Sequence, residues 1–241
     1  MINTTRDKIS CLFKALTIIF SLSGVLLSVF SAKDDGYTGS SFARLLYFTA
    51  QSNIWIGVTT LLILTVKKSR YNFQKNLYFF RFYFTVSITM TMFVFCFLLA
   101  PFSDDSYKAW GLANILTHVF CPFTCILDFI FDPTKITIKR KHLAYAMLPA
   151  IIYFTLASIL EELHVDFGRG EYFPYFFMNY HSPAGIFGFT NNYPYYMGCF
   201  YWFSIFTLIY FLIAFIYYKI NNSNFIRNKT LISKNKVTID T

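Results

Sequence analysis

Six stretches of this chain stay predominantly apolar for about 20 residues each, the length that roughly 30 Å of bilayer hydrocarbon demands of a helix rising about 1.5 Å per residue. They are Leu12–Phe30, Leu46–Val66, Leu77–Ala100, Gly111–Phe131, Leu143–Leu160 and Tyr193–Ile220. Hydrocarbon supplies no water to unpaired backbone amides, so each run is expected to be a helix. The predicted fold is all-α: residues 1–220 form one six-helix transmembrane bundle, and 221–241 form a basic cytoplasmic tail. Composition agrees, with 56% of residues hydrophobic and only 14% charged, where soluble domains carry about a quarter. No internal repeat and no segment large enough for a separate soluble domain is visible.

The first run follows Arg6, Lys8 and Lys14, as a signal peptide would. It exceeds the usual h-region of about 7–15 residues, and SVFSAK makes a poor cleavage site, so a retained helix is expected.

A net charge of +9 invites a nucleic-acid partner until its distribution is followed. Lys and Arg gather at the amino terminus, in 67–76, in 132–142 and in the tail from Lys219. The alternate loops, 31–45, 101–110 and 161–192, hold only Lys33, Arg44, Lys108 and Arg169. Positive charge marks the cytoplasmic side, so both termini are expected there. Asp34, Asp35, Asp104, Asp105, Glu161, Glu162, Asp166 and Glu171 all fall on the other side. The basic charge is thus accounted for by orientation and anionic membrane lipid, and no nucleic-acid partner is expected.

Cys11, Cys96, Cys121, Cys125 and Cys199 show neither CxxC nor a zinc spacing, and Cys96 with Cys199 near outer helix ends leaves one bridge open. Glu161, Glu162, His164, Asp166 and His181 in the long outer loop match no metal pattern and read as a solvated acidic rim. No cofactor or metal is expected. That loop, EELHVDFGRGEYFPYFFMNYHSPAGIFGFTNN, is aromatic enough to dip into the interface and cap a cavity. The tail is expected to be flexible or surface-bound, and Pro149 to kink the fifth helix.

Polar groups inside the spans are the functional suspects. On the second helix Thr49, Ser52 and Asn53 share a face that Gly57 and Thr60 continue, while Gln51 points elsewhere. Ser52 and Thr60 also suit an interhelix seam. On the fourth helix His118 shares a face with Asn114 and Pro122, and Pro122 lacks the amide that would bond the His118 carbonyl. Both helices enter from the outer side, which puts Thr49 on the order of 5 Å and His118 on the order of 10 Å deep. A hydroxyl and a neutral imidazole at one depth are the parts of an activated nucleophile, with Asn114 or Asn53 to orient the ring or bind an oxyanion. Near the inner face, Arg81 and Asp128 read as a structural pair, as helix-end anchors or as part of a proton pathway.

YFTAQSN in the second helix, HVFCPFTCILDF in the fourth and YFPYFF in the outer loop resemble the motifs of a family of bacterial six-span membrane proteins. More distantly the arrangement is similar to the androgen-induced protein family of transmembrane threonine hydrolases. That resemblance implies a multi-pass protein of a bacterial inner membrane, with Thr49 as nucleophile and His118 as its partner, acting on a fatty-acyl ester. Three readings stand: a lipid-ester hydrolase, a non-catalytic transporter or lipid-binding protein using the same pocket, and interhelix glue alone. A pocket closed toward the cytoplasm and opening laterally to lipid favours the first, and a polar path from His118 to Arg81 and Asp128 favours transport.

Overall fold

The computed structural model describes residues 5–33, 38–66, 71–101, 109–134, 136–168 and 170–237. The expected charges at Asp34, Asp35, Lys67, Lys68, Arg70, Asp104, Asp105, Lys108, Lys135 and Arg169 lie outside the described residues. The described part is helical with no strand, and six helices are long and apolar enough to cross a membrane. They are α1 (Thr5–Phe30), α2 (Phe48–Thr65), α3 (Asn72–Leu99), α4 (Leu112–Phe131), α5 (Lys141–Glu162) and α6 (Cys199–Val237).

Two boundaries differ from the hydropathy pattern. The sixth helix starts at Cys199, because the tyrosine-rich stretch from Tyr193 holds Pro194 and folds into turns, with Gly198 donating to the Gly188 carbonyl at 2.9 Å. Its backbone then stays helical through Val237, so residue 220 marks a change in polarity with no break in the helix. Within α5 the helix is interrupted at Ala146 and Met147, just ahead of Pro149, which has no amide for the Tyr145 carbonyl.

Lipid tails are as apolar as leucine, so helices in a membrane associate through close packing and shared hydrogen bonds. Here α1 lies between α2 and α4, and α3 joins α2 to α6. Gly57 lets α1 and α2 touch: a β-carbon there would meet Ser21 Oγ at 2.2 Å. Gly24 does the same for α4, since its β-carbon would come 2.7 Å from Thr117 Cγ2. Hydroxyl pairs tie the remaining seams, with Ser87 to Tyr210 at 2.6 Å and Thr89 to Tyr217 at 2.7 Å between α3 and α6. Thr17 and Thr124 pair at 3.1 Å between α1 and α4. The backbone of α5 approaches α6 over Lys141–Tyr145 and barely does so over Leu148–Glu162, where Phe154 bridges the gap to Phe203 with ring centroids 4.3 Å apart.

At one end of the bundle Arg81 is buried and hydrogen-bonded to two carboxylates, which rules out an arginine reaching for the interface. Its Nη2 lies 2.5 Å from Asp128 and its Nη1 contacts Asp132. Lys14, counted above only as part of the basic amino terminus, reaches the same carboxylates at 2.8 and 2.7 Å and Ser10 Oγ at 2.6 Å. The expected pair is therefore a neutral set of four charges knitting α1, α3 and α4 and the residue that ends α4. Arg6 adds a cap by donating to the last carbonyls of α4, at 2.8 Å to Phe131 and 3.2 Å to Ile130.

At the other end the segment from Leu163 to Gly198 folds back over the helices. Tyr47, which caps α2, donates to the Phe167 carbonyl at 3.2 Å and stacks edge-on against Phe167 and Tyr175. Glu161 departs from the expected solvated rim: it is buried, and it accepts the Tyr180 hydroxyl while His181 Nε2 stands 3.3 Å away. Burial first, then Glu161 and Glu162, hold the Tyr180 phenol above its ordinary pKa, which keeps it a donor. Asp166 caps the Gly168 and Gly170 amides at 2.6 and 3.0 Å. All five cysteines are free, so the Cys96–Cys199 bridge left open by the sequence is not formed.

Candidate functional site

Thr49 is the second residue of α2, following Tyr47 as N-cap and Phe48. Its hydroxyl therefore stands in the first turn, where helical amides lack intrahelical partners and the local potential favours negative charge. Across the bundle, Thr49 Oγ1 lies 3.1 Å from Nε2 of His118.

His118 sits in a π-turn, Leu116–Phe120, inside α4. The turn displaces the backbone register: the Cys121 amide bonds Leu116 O, one residue further back than an α-helix requires. Pro122 then brings no amide to the Thr117 carbonyl. That carbonyl, and not the His118 carbonyl anticipated from α-helical spacing, is the one met by a side chain: Asn53 Nδ2 donates to it at 3.0 Å. The same amide donates to Thr49 O at 2.8 Å, so both Asn53 N–H bonds are committed to backbone. Asn53 thus locks the Thr49 turn of α2 to the His118 turn of α4 and has no proton left for an oxyanion. Its Oδ1 is buried without a partner.

Ser52 adds a third connection, donating to Thr49 O at 3.1 Å and pairing with Thr91 Oγ1 of α3 at 3.0 Å. Asn114 orients the imidazole through its backbone, since its carbonyl oxygen lies 3.0 Å from His118 Nδ1. A carbonyl only accepts, so Nδ1 carries the proton and Nε2 of the neutral ring presents its lone pair to Thr49. Thr117 Oγ1, 3.1 Å from Nδ1, donates its own proton to Ala113 O at 2.8 Å and leaves that tautomer undisturbed. Phe95, which opens the π-turn closing α3, stacks on the imidazole with centroids 4.0 Å apart and planes 24° from parallel. The ring is thus held on one face, on one nitrogen and by its own backbone.

Two chambers meet at this pair. The more polar, of about 470 Å³, is lined by Arg44, Asn114, Thr117 and Glu171 together with loop residues from Phe173 to Phe176 and Tyr193 to Tyr195. An apolar one of about 220 Å³ runs between α3, α5 and α6, past Met90, Val94, Phe154, Phe203 and Phe206 to Tyr210. Thr49, His118, Leu99 and Tyr175 line both. The YFPYFF segment therefore supplies walls to each chamber, in keeping with a loop that covers a cavity.

The structure brings Thr49, Ser52, Asn53, Asn114 and His118 together and leaves Arg81 and Asp128 apart from them. Neither chamber reaches that charged set, and Ile56, Ile88, Cys121 and Cys125 pack in the layer between. Among the described residues no three His, Cys, Asp or Glu side chains are placed to hold a metal ion. Sequence reasoning missed Lys14 and Asp132 in the charged set and Phe95 and Tyr153 at the site. Lys14 was legible, being a lysine one turn inside an apolar run; an aromatic among so many aromatics carries no signal. Comparison with protein-family models, with curated proteins and with solved structures finds no match to this chain.

Proposed function

We propose that this integral membrane protein hydrolyses a lipid ester, with Thr49 as nucleophile and His118 as general base and acid. The observation that carries the proposal is the 3.1 Å approach of Thr49 Oγ1 to His118 Nε2, with Nδ1–H committed to the Asn114 carbonyl. Threonine is a poor nucleophile unless a base takes its proton as attack begins, and this geometry supplies that base.

In the reaction, Thr49 Oγ1 attacks the acyl carbon as its proton passes to Nε2, and the carbonyl π pair moves onto oxygen. Collapse of that intermediate expels the alcohol oxygen, which takes the proton from Nε2–H, and leaves the acyl group on Thr49. Water then attacks the acyl carbon, gives its proton to Nε2, and releases the carboxylic acid as Thr49 recovers its proton. The apolar chamber suits an acyl chain, and the polar chamber suits the alcohol portion and the water. With both termini in the cytoplasm, as the Lys and Arg distribution favours, the dyad stands in the outer part of the membrane, near ester depth. Neither chamber reaches the four charges, which weighs against a polar path for transport.

The test is labelling of the detergent-solubilised protein with an alkyl fluorophosphonate. Labelling of wild type that disappears in folded Thr49→Ala and His118→Ala supports the assignment. A folded wild type that resists probes of several chain lengths overturns it in favour of a lipid-binding protein.

A further inference from the structure

The apolar chamber holds a polar group that the protein leaves unused. Tyr153 of α5 is 5% exposed and lines that chamber together with Thr49 and His118. Its ring packs edge-on against Phe48, the neighbour of Thr49, with centroids 5.1 Å apart and planes at 60°. Its hydroxyl stands close to the Phe48 amide and the Tyr175 phenol, yet it makes a hydrogen bond with neither. Leaving a buried hydroxyl unpaired costs on the order of 1–3 kcal/mol. Phenylalanine fills the same space without that penalty, so the hydroxyl calls for a ligand to use it.

Four other polar side chains near the dyad are committed. Both Asn53 N–H bonds go to backbone carbonyls, Thr117 donates to Ala113, Thr91 pairs with Ser52 and Tyr210 pairs with Ser87. A hydrocarbon chain alone filling the chamber would leave Tyr153 Oη as unsatisfied as before. An ester whose acyl carbon sits at Thr49 brings a carbonyl oxygen, which accepts from a phenol.

We propose that Tyr153 is a catalytic residue of the hydrolysis described above, donating its Oη–H to the acyl carbonyl oxygen and holding that oxygen as it becomes the oxyanion. The proposal rests on the hydrolase reading of Thr49 and His118. It assigns the apolar chamber to the acyl side of the ester, with the carbonyl at its mouth.

Tyr153→Phe keeps the ring and removes only the hydroxyl. Rates of p-nitrophenyl dodecanoate hydrolysis and of fluorophosphonate labelling are to be compared in wild type and variant, alongside thermal unfolding of both. The expected result is a kcat lowered about 100-fold or more, as for loss of an oxyanion donor, with KM little changed. Labelling should slow in parallel, and the unliganded variant should be at least as stable as wild type. A variant that turns over and labels like wild type overturns the role of Tyr153 alone. So does a variant that unfolds or loses stability, because the hydroxyl would then have a structural partner. A folded wild type that neither labels nor turns over removes the hydrolase reading and this proposal with it.

Discussion

Replacing Lys14 with methionine should destabilise the protein, even though the residue lies outside both chambers at the dyad. Lys14 and Arg81 balance Asp128 and Asp132, and all four are buried. Methionine keeps the length and apolar stem of lysine and removes the ammonium, together with its contacts to Ser10, Asp128 and Asp132 at 2.6, 2.8 and 2.7 Å. Arg81 alone then faces two carboxylates in a low-dielectric layer. Breaking a buried ion pair from one side costs about 3–5 kcal/mol, most of it from the charge left unpaired. Lys14→Met combined with Asp132→Asn restores neutrality, because Arg81 keeps Asp128 at 2.5 Å. The double variant should therefore recover about 1–3 kcal/mol of the single variant's loss, a coupling of the size contacting residues show. Unfolding by sodium dodecyl sulfate in mixed micelles, followed by tryptophan fluorescence, measures both. A Lys14→Met protein as stable as wild type, or a double variant that loses the sum of the two single losses, would mean that the four charges do not act as one buried set.

Three further outcomes follow from the packing around the dyad. Thr49→Val preserves shape without the hydroxyl and should abolish labelling in a folded protein, at a cost of about 1–3 kcal/mol for the His118 Nε2 left without its donor; Thr49→Ser should still label, more slowly, because a hydroxyl without the γ-methyl is less restricted at χ1. Asn53→Leu strips the Thr117 carbonyl of its donor and should cost about 1–3 kcal/mol in the same unfolding assay. Gly57→Ala sets a methyl 2.2 Å from Ser21 Oγ and should cost about 1–3 kcal/mol as an overpacked contact, most of it returned by Ser21→Ala in the double variant.

The number of spans and the level of Thr49 and His118 were legible because both depend on rise per residue and on which side each helix enters. Gly57 was legible as a close approach because it lies on the same face as Ser52 and Asn53. The register inside α4 was not. A π-turn adds one residue without altering hydropathy, so α-helical counting pointed to the His118 carbonyl when the protein frees that of Thr117. Asn114 was expected at the ring through its side chain, and it acts through a backbone carbonyl, which any residue at that position offers. Lys14 was counted with the basic amino terminus on charge distribution alone, and that distribution says nothing about which charges turn inward. The start of α6 was misplaced because tyrosines count as apolar even where Pro194 forces turns.

Trapping the acyl group on the enzyme tests directly whether Thr49 is the nucleophile. The folded protein is incubated with p-nitrophenyl dodecanoate, quenched in acid and examined by intact mass and peptide mapping. A single dodecanoyl adduct is expected on the peptide that carries Thr49, absent from Thr49→Val and His118→Ala. An acyl group on any other residue, turnover that persists in Thr49→Val, or a folded wild type that gains no adduct and releases no nitrophenol would contradict that role for Thr49.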